Sequence, residues 1–190
     1  MALATAVSGH AGGHAAHDRA KMLRVGLWLF FFSESILFGL LLSARFYLEG
    51  ISREHVDQFL GFIITVILLL SSMTAYTAET AIEHDRRTLA NWGLFLTILL
   101  GVIFAGGVAV EWSTAEFSRH QSFGTVFFTM TGVHASHVLS GILMLVLALS
   151  QSMRGRYTGK SHWPLSAIVM YWHFVDLVWV FFYPALYLVS

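Results

Sequence analysis

FLGFIITVILLLSSMTAYTA, residues 59–78, runs for twenty positions without one charged side chain. At about 1.5 Å of rise per helical residue it reaches about 30 Å, the thickness of a bilayer's hydrocarbon core. A backbone at that depth has no water to bond to, so it must satisfy its own N–H and C=O groups as a helix or a closed barrel. The run lacks the alternation of a barrel strand, which leaves the helix. Residues 91–110 are equally free of charge. Outward from these two, apolar stretches at about 24–48, 59–81, 90–112, 123–150 and 165–189 are each long enough to span, and the connections are short and polar. The fold expected is all-α: an integral membrane bundle of five transmembrane helices over residues 23–190, preceded by a polar, mobile tail at 1–22.

The composition agrees. Of 190 residues, 56% are hydrophobic and 12% charged, far from a soluble domain. Lys plus Arg and Asp plus Glu balance at 11 each, so nothing suggests a nucleic-acid partner. With no cysteine, disulfides, thiolate-held zinc or iron–sulfur clusters, cysteine-ligated copper and C-x-x-C-H haem attachment are excluded. The start of the chain lacks the basic-then-apolar pattern of a signal peptide. Arg19, Lys21 and Arg24 precede span one, Arg86 and Arg87 follow span two, and Arg154, Arg156 and Lys160 follow span four. Only Arg45, Arg53 and Arg119 lie on the other side. The positive-inside rule then places the N-terminus in the cytoplasm and the C-terminus outside.

Ionisable groups at membrane depth are the candidate site. Glu34 lies about 14 Å into span one from Val25, and His134 about 16 Å into span four from Phe123. His173 and Asp176 fall about 12 and 16 Å into span five from Leu165, and His137 is one turn from His134. Such groups are costly in hydrocarbon and face the protein interior, where they pair. The set Glu34, His134, His137, His173 and Asp176 is therefore expected to form a buried polar cluster. Its plainest role is to tie helices together, and a proton relay is the alternative from another class, although spans two and three offer it only hydroxyls. Met130, His134, His137 and Gly141 share a face of span four, while Gly132, Ser136 and Ser140 form a small-residue row on another face. Trp172, Asp176, Trp179 and Tyr183 form one row on span five. Glu79, Glu83, His84 and Asp85 read as solvated or headgroup-facing, and Glu111 beside Trp112 as an interfacial acid. His10, His14 and His17 have helical metal-ligand spacing in a tail that reads as mobile. Arg154, Arg156, Lys160 and Trp163 are placed to meet lipid headgroups.

Three stretches, GLWLFFFSESILFG at 26–39, FGTVFFTMTGVHASHVLSG at 123–141 and YWHFVDLVWVFFYPALY at 171–187, resemble subunit III of the haem-copper terminal oxidases. The likeness extends through LLLSSMTAYTA at 68–78 and covers essentially everything after residue 22. It departs at Ala135 and Ser136, where the family often has glycine and a hydrophobic residue. The resemblance is to the short, five-helix bacterial form. It implies a non-catalytic subunit of a proton-pumping oxidase in the bacterial inner membrane, with cytochrome c oxidase the favoured type. No cofactor, metal ligand or catalytic residue is implied in this chain, because the haems and copper belong to partner subunits. The implied partners are oxidase subunit I directly, other oxidase subunits and bound phospholipid, and the implied roles are stabilising subunit I and supporting proton uptake. Carried over, Glu34 is the buried acid of the first family-core helix, His134, His137, His173 and Asp176 match its other buried polar positions, and Arg154 and Arg156 its lipid contacts. Two alternatives stay open: a haem b-binding membrane anchor with His134 or His137 facing His173, and an accessory subunit of nitric oxide reductase. The choice of cytochrome c or quinol as electron donor lies in another subunit.

Overall fold

The computed structural model describes residues 2–49, 57–115 and 122–188, and of residues 2–20 and 49 the backbone alone. His10, His14, His17, Arg19, Arg53 and Arg119 thus lie outside the described side chains. Five α-helices follow one another: α1 (Ala2–Glu49), α2 (Gln58–Glu83), α3 (Arg87–Thr114), α4 (Ser122–Met153) and α5 (Trp163–Tyr183), with α5 passing into a π-helical turn at Pro184–Leu188. All five are long and apolar enough to cross a membrane, over Lys21–Leu48, Gln58–Glu83, Arg87–Thr114, Ser122–Met153 and Trp163–Leu188. Helical backbone in α1 begins at Ala2, ahead of the apolar boundary, in an alanine-rich stretch of high helix propensity.

Local chemistry sets the helix ends. Asp57 caps α2, its carboxylate accepting from Phe59 N–H at 3.0 Å and Leu60 N–H at 3.1 Å. Asp85, at φ +55°, makes the α2–α3 turn so tight that α3 starts at Arg87, three residues before the apolar run. Pro164 sits in the first turn of α5, where a missing N–H costs nothing. Pro184 ends α5: without an N–H it cannot continue the α ladder, and the chain widens into the π turn.

The chain divides into two compact units, Met1–Gly39 and Leu40–Ser190. The first is the N-terminal part of α1. There Ser33 and Ser35 return their hydroxyls to the carbonyls of Phe30 at 2.8 Å and Phe31 at 2.7 Å, and Glu34 between them is half-buried.

In the second unit each of α2 to α5 packs on its sequence neighbour, and α5 closes back on α2. The buried positions explain the geometry. On α3 they are Ala90, Leu94, Thr97, Gly101, Phe104, Val108 and Glu111, and α4 carries the row Phe127, Thr131, His134, Val138, Gly141, Leu145, Ala148 and Ser152, with Phe123, Gly124, Val126 and Met130 also buried towards its start. Steps of three and four alternate, a period of 3.5, which is the seam of left-handed helix packing at crossing angles of about 20°. Helix α5 carries two such seams, Leu165–Val169–Trp172–Asp176–Trp179 and Tyr171–Val175–Val178–Phe182, and is the most buried of the spans. Trp172 fills the centre: its ring lies against Gly101 of α3 and Gly141 of α4, and its indole N–H reaches Ser71 of α2 at 2.9 Å.

At the end of the bundle carrying the α2–α3 and α4–α5 connections, a backbone clasp joins the two. Gly159 N–H donates to Asp85 Oδ1 at 2.8 Å, and His162 Nε2 faces Glu83 Oε1 at 3.7 Å. Glu83 and Asp85, read from the sequence as solvated or headgroup-facing, are exposed and also contact the α4–α5 loop.

Candidate functional site

The seam between α2 and α5 carries three polar rungs. Thr65 accepts Trp179 Nε1–H at 2.9 Å, and Ser71 accepts Trp172 Nε1–H at the same distance. Each hydroxyl donates its own hydrogen backwards, Thr65 to Gly61 O at 2.7 Å and Ser71 to Leu68 O at 2.6 Å. An indole can only donate, so a hydroxyl already committed to its own helix is the complementary acceptor. Trp172 and Trp179 are two turns apart, as are Thr65 and Ser71 to within a residue, and this common spacing lets both rungs form between the two helices.

The third rung holds two of the expected site residues. Ser72 Oγ donates to Asp176 Oδ2 and lies 2.9 Å from His173 Nδ1. A hydroxyl has one hydrogen, so with it given to the carboxylate, Nδ1 of His173 must carry a hydrogen and donate to Ser72; the tautomer follows from the network. Asp176 is 3% exposed, and its Oδ1 has no hydrogen-bond partner among the described residues. His173 is half-buried at the flank of the row.

The remaining residues of the expected cluster lie in different surroundings. His134 is fully buried, its ring centroid 4.9 Å from that of Trp179, 5.9 Å from Phe104 and 6.2 Å from Phe182. His137, three residues on, is rotated about 60° from it on the helix and is half-buried. Its Nδ1 lies 2.8 Å from Val133 O, which can only accept, so that nitrogen is the donor. Glu34 belongs to the other unit of the chain. Of the small-residue row on α4, Ser136 and Ser140 are exposed, and Ser140 bonds the Tyr171 hydroxyl at 2.7 Å.

Two buried charged residues stand outside that cluster. Glu111, expected at the interface, is 4% exposed and accepts Tyr187 O–H at Oε2, 2.7 Å away. The π turn delivers Tyr187 there, and Gly61 makes room for its ring: a Cβ at that position would lie 2.6 Å from Tyr187 Cε1. Arg45, counted above as a flanking charge, is 1% exposed, with its guanidinium carbon 5.2 Å from the centroid of Phe123.

Arg154, Arg156 and Lys160 are exposed on the α4–α5 loop and Trp163 is half-buried at the start of α5. Tyr157 in the same loop is 3% exposed, and burial pushes its phenol up from the ordinary value against the opposing charge of Arg156. Among the described residues there is no group of three or more His, Asp or Glu side chains able to hold a metal ion.

Five helices long and apolar enough to span, with α2 and α5 joined by hydroxyl, indole, imidazole and carboxylate hydrogen bonds, define a multi-pass helical membrane protein. The family model described as cytochrome c oxidase subunit III matches residues 4–190. The cytochrome c oxidase subunit 3 of Thermostichus vulcanus is 33% identical over 184 residues, covering 92% of this chain and 91% of that protein. That of Pyricularia grisea is 35% identical over 181 residues, covering 88% and 67% respectively, and that of Coturnix japonica 33% over 190 residues, covering 92% and 72%. The chain belongs to the cytochrome c oxidase subunit III family.

Proposed function

We propose that the chain is the non-catalytic core subunit III of a proton-pumping haem-copper respiratory oxidase of the cytochrome c oxidase type. It sits against subunit I in a bacterial cytoplasmic membrane, with its N-terminus in the cytoplasm and its C-terminus outside. In this reading the haems and copper reside in partner subunits. This chain stabilises subunit I during turnover, supports proton uptake and holds phospholipid, with Arg154, Arg156, Lys160 and Trp163 at the headgroups. The observation that carries the reading is the family match over residues 4–190. The use of Ser72, His173 and Asp176 as one interhelical rung supports a joining role for His173 and Asp176 of the midplane set. The aromatic packing around His134 speaks against the haem-anchor reading, because the ring is enclosed where a porphyrin would have to lie.

The test is to purify the tagged chain from its native membrane. A haem-copper subunit I is expected to accompany it, and a stoichiometric Soret band from this chain alone would sink the proposal. An oxidase prepared without the chain should begin at substantial activity and then decay during turnover; no activity from the first turnover would contradict the stabilising role.

The joining role makes its own prediction. Asp176→Asn keeps an oxygen to accept from Ser72 and should be nearly neutral in a detergent-unfolding assay. Asp176→Leu strips the acceptor from a half-buried hydroxyl and should cost about 1–3 kcal/mol. The same contrast is expected for Glu34→Gln against Glu34→Leu. Equal behaviour within each pair would remove the network from the account.

A further inference from the structure

At the basic end of the bundle, Thr88, Asn91, Trp92 and Phe95 of α3 and Leu149 and Met153 of α4 line a groove of about 380 Å³. That lies within the range of about 300–1,000 Å³ usual for small-molecule sites. Its two ends differ in chemistry. At the polar end, Ser152 Oγ donates to Asn91 Oδ1 at 2.6 Å. This occupies the acceptor of the amide and leaves its NH₂ group to donate outwards. Arg87, next to Thr88, lays its guanidinium on the turn that follows Met153: a Cβ on Gly155 would lie 2.9 Å from its Nη1. Arg154 shares that turn and is exposed.

Among the described residues neither Arg87 nor Arg154 has an ion-pair partner. The nearby acids are engaged elsewhere, Glu83 facing His162 at 3.7 Å and Asp85 accepting from Gly159 N–H at 2.8 Å. Two exposed arginines, one beside Thr88 in the chain and one beside Met153, thus flank the amide end of the groove. The other end is apolar. Trp92 and Phe95 stand edge to face at 6.1 Å, both exposed, with Leu149 and Met153 opposite. Seven residues separate Thr88 from Phe95, so this wall runs about 10 Å into the hydrocarbon layer.

A small soluble anion would satisfy the donors and leave the aromatic wall unused. A zwitterionic lipid would cover the wall and leave a net positive charge at its headgroup. We propose that the α3–α4 groove seats one anionic glycerophospholipid, its phosphate oxygens accepting from Arg87, Arg154 and Asn91 and an acyl chain lying along Trp92, Phe95, Leu149 and Met153. The proposal builds on the lipid-contact reading above and places the contact in a groove that this reading does not include.

Tryptophan fluorescence of the full chain in phosphatidylcholine nanodiscs tests it, with the Trp92 signal taken as the difference from Trp92→Phe. Brominated phosphatidylglycerol is expected to quench that signal at about a tenfold lower mole fraction than brominated phosphatidylcholine. The preference should vanish in Arg87→Gln/Arg154→Gln, persist in Arg156→Gln/Lys160→Gln, and be unaffected by millimolar glycerol 3-phosphate. Equal quenching by the two lipids would overturn the proposal, reducing the groove to unselective lipid contact. Relief of quenching by glycerol 3-phosphate would overturn it in favour of a free-phosphate site. Loss of preference only in Arg156→Gln/Lys160→Gln would overturn this seat while leaving the loop's lipid contacts standing.

Discussion

Replacing Gly101 by valine is expected to destabilise the bundle by about 3 kcal/mol, the upper end of the usual cost of overpacking a core. A Cβ at Gly101 would lie 2.7 Å from Trp172 Cη2, and a Cβ at Gly141, on the opposite helix, 2.9 Å from Trp172 Cε3. The indole is gripped between α3 and α4 along its six-membered ring. It cannot slide away, because its N–H is held by Ser71 at 2.9 Å and the side chain is fully buried. The midpoint of thermal or denaturant unfolding in detergent measures the loss. A second variant separates this clash from a general intolerance of valine. Trp172→Leu alone should cost a few kcal/mol by leaving a cavity. Combined with Gly101→Val it should cost less than the sum of the two, by about 1 kcal/mol or more, since valine then occupies vacated space. Strict additivity would show that the two residues do not oppose one another as described.

The same core shows which features the sequence exposes. Membrane spans are legible because hydrocarbon imposes one rule on every residue of a twenty-residue run, and all five expected spans are helices of spanning length. Depth is legible too: counting residues places His173 and Asp176 at one level, and they meet at Ser72. Partners are harder to read. Ser72 looks no different in the sequence from Ser71 or Thr65, yet one bonds a carboxylate and a histidine while the others take indole N–H groups. What distinguishes them is the rotation of α2 against α5, a property of the pair that neither helix carries alone. Spacing along one helix also blurs fine differences. His134 and His137 share a broad face, but the 3.5-residue seam runs through 134 and 138, so one ring is enclosed and the other stands at its edge. Glu111 was legible as an acid beside a tryptophan at a span end. It is buried beside Tyr187, which lies in the π turn that follows Pro184 and donates to it.

That last arrangement gives the second large effect, expected for Tyr187→Phe. Glu111 is 4% exposed and has one hydrogen-bond donor, the Tyr187 hydroxyl at 2.7 Å, while its other oxygen has no partner among the described residues. Phenylalanine keeps the ring, which stacks on Tyr183 at 5.2 Å and lies over Gly61, so the packing of α2 against the π turn should survive. The backbone tie should survive as well, because Gln58 Nε2 donates to the carbonyl of residue 187 at 3.1 Å. What disappears is the one donor to a buried acid among the described residues. Hydrogen bonds to charged groups are worth about 1.5–3 kcal/mol, and an acid left buried without one costs the upper part of that range. A loss of about 2–3 kcal/mol in detergent unfolding is therefore expected. Glu111→Leu on the Tyr187→Phe background should recover most of it, since replacing both partners of a buried polar pair by apolar groups is close to neutral. If Tyr187→Phe alone stays within about 0.5 kcal/mol of the unmodified chain, as a surface substitution would, the hydroxyl is not what makes burial of Glu111 tolerable.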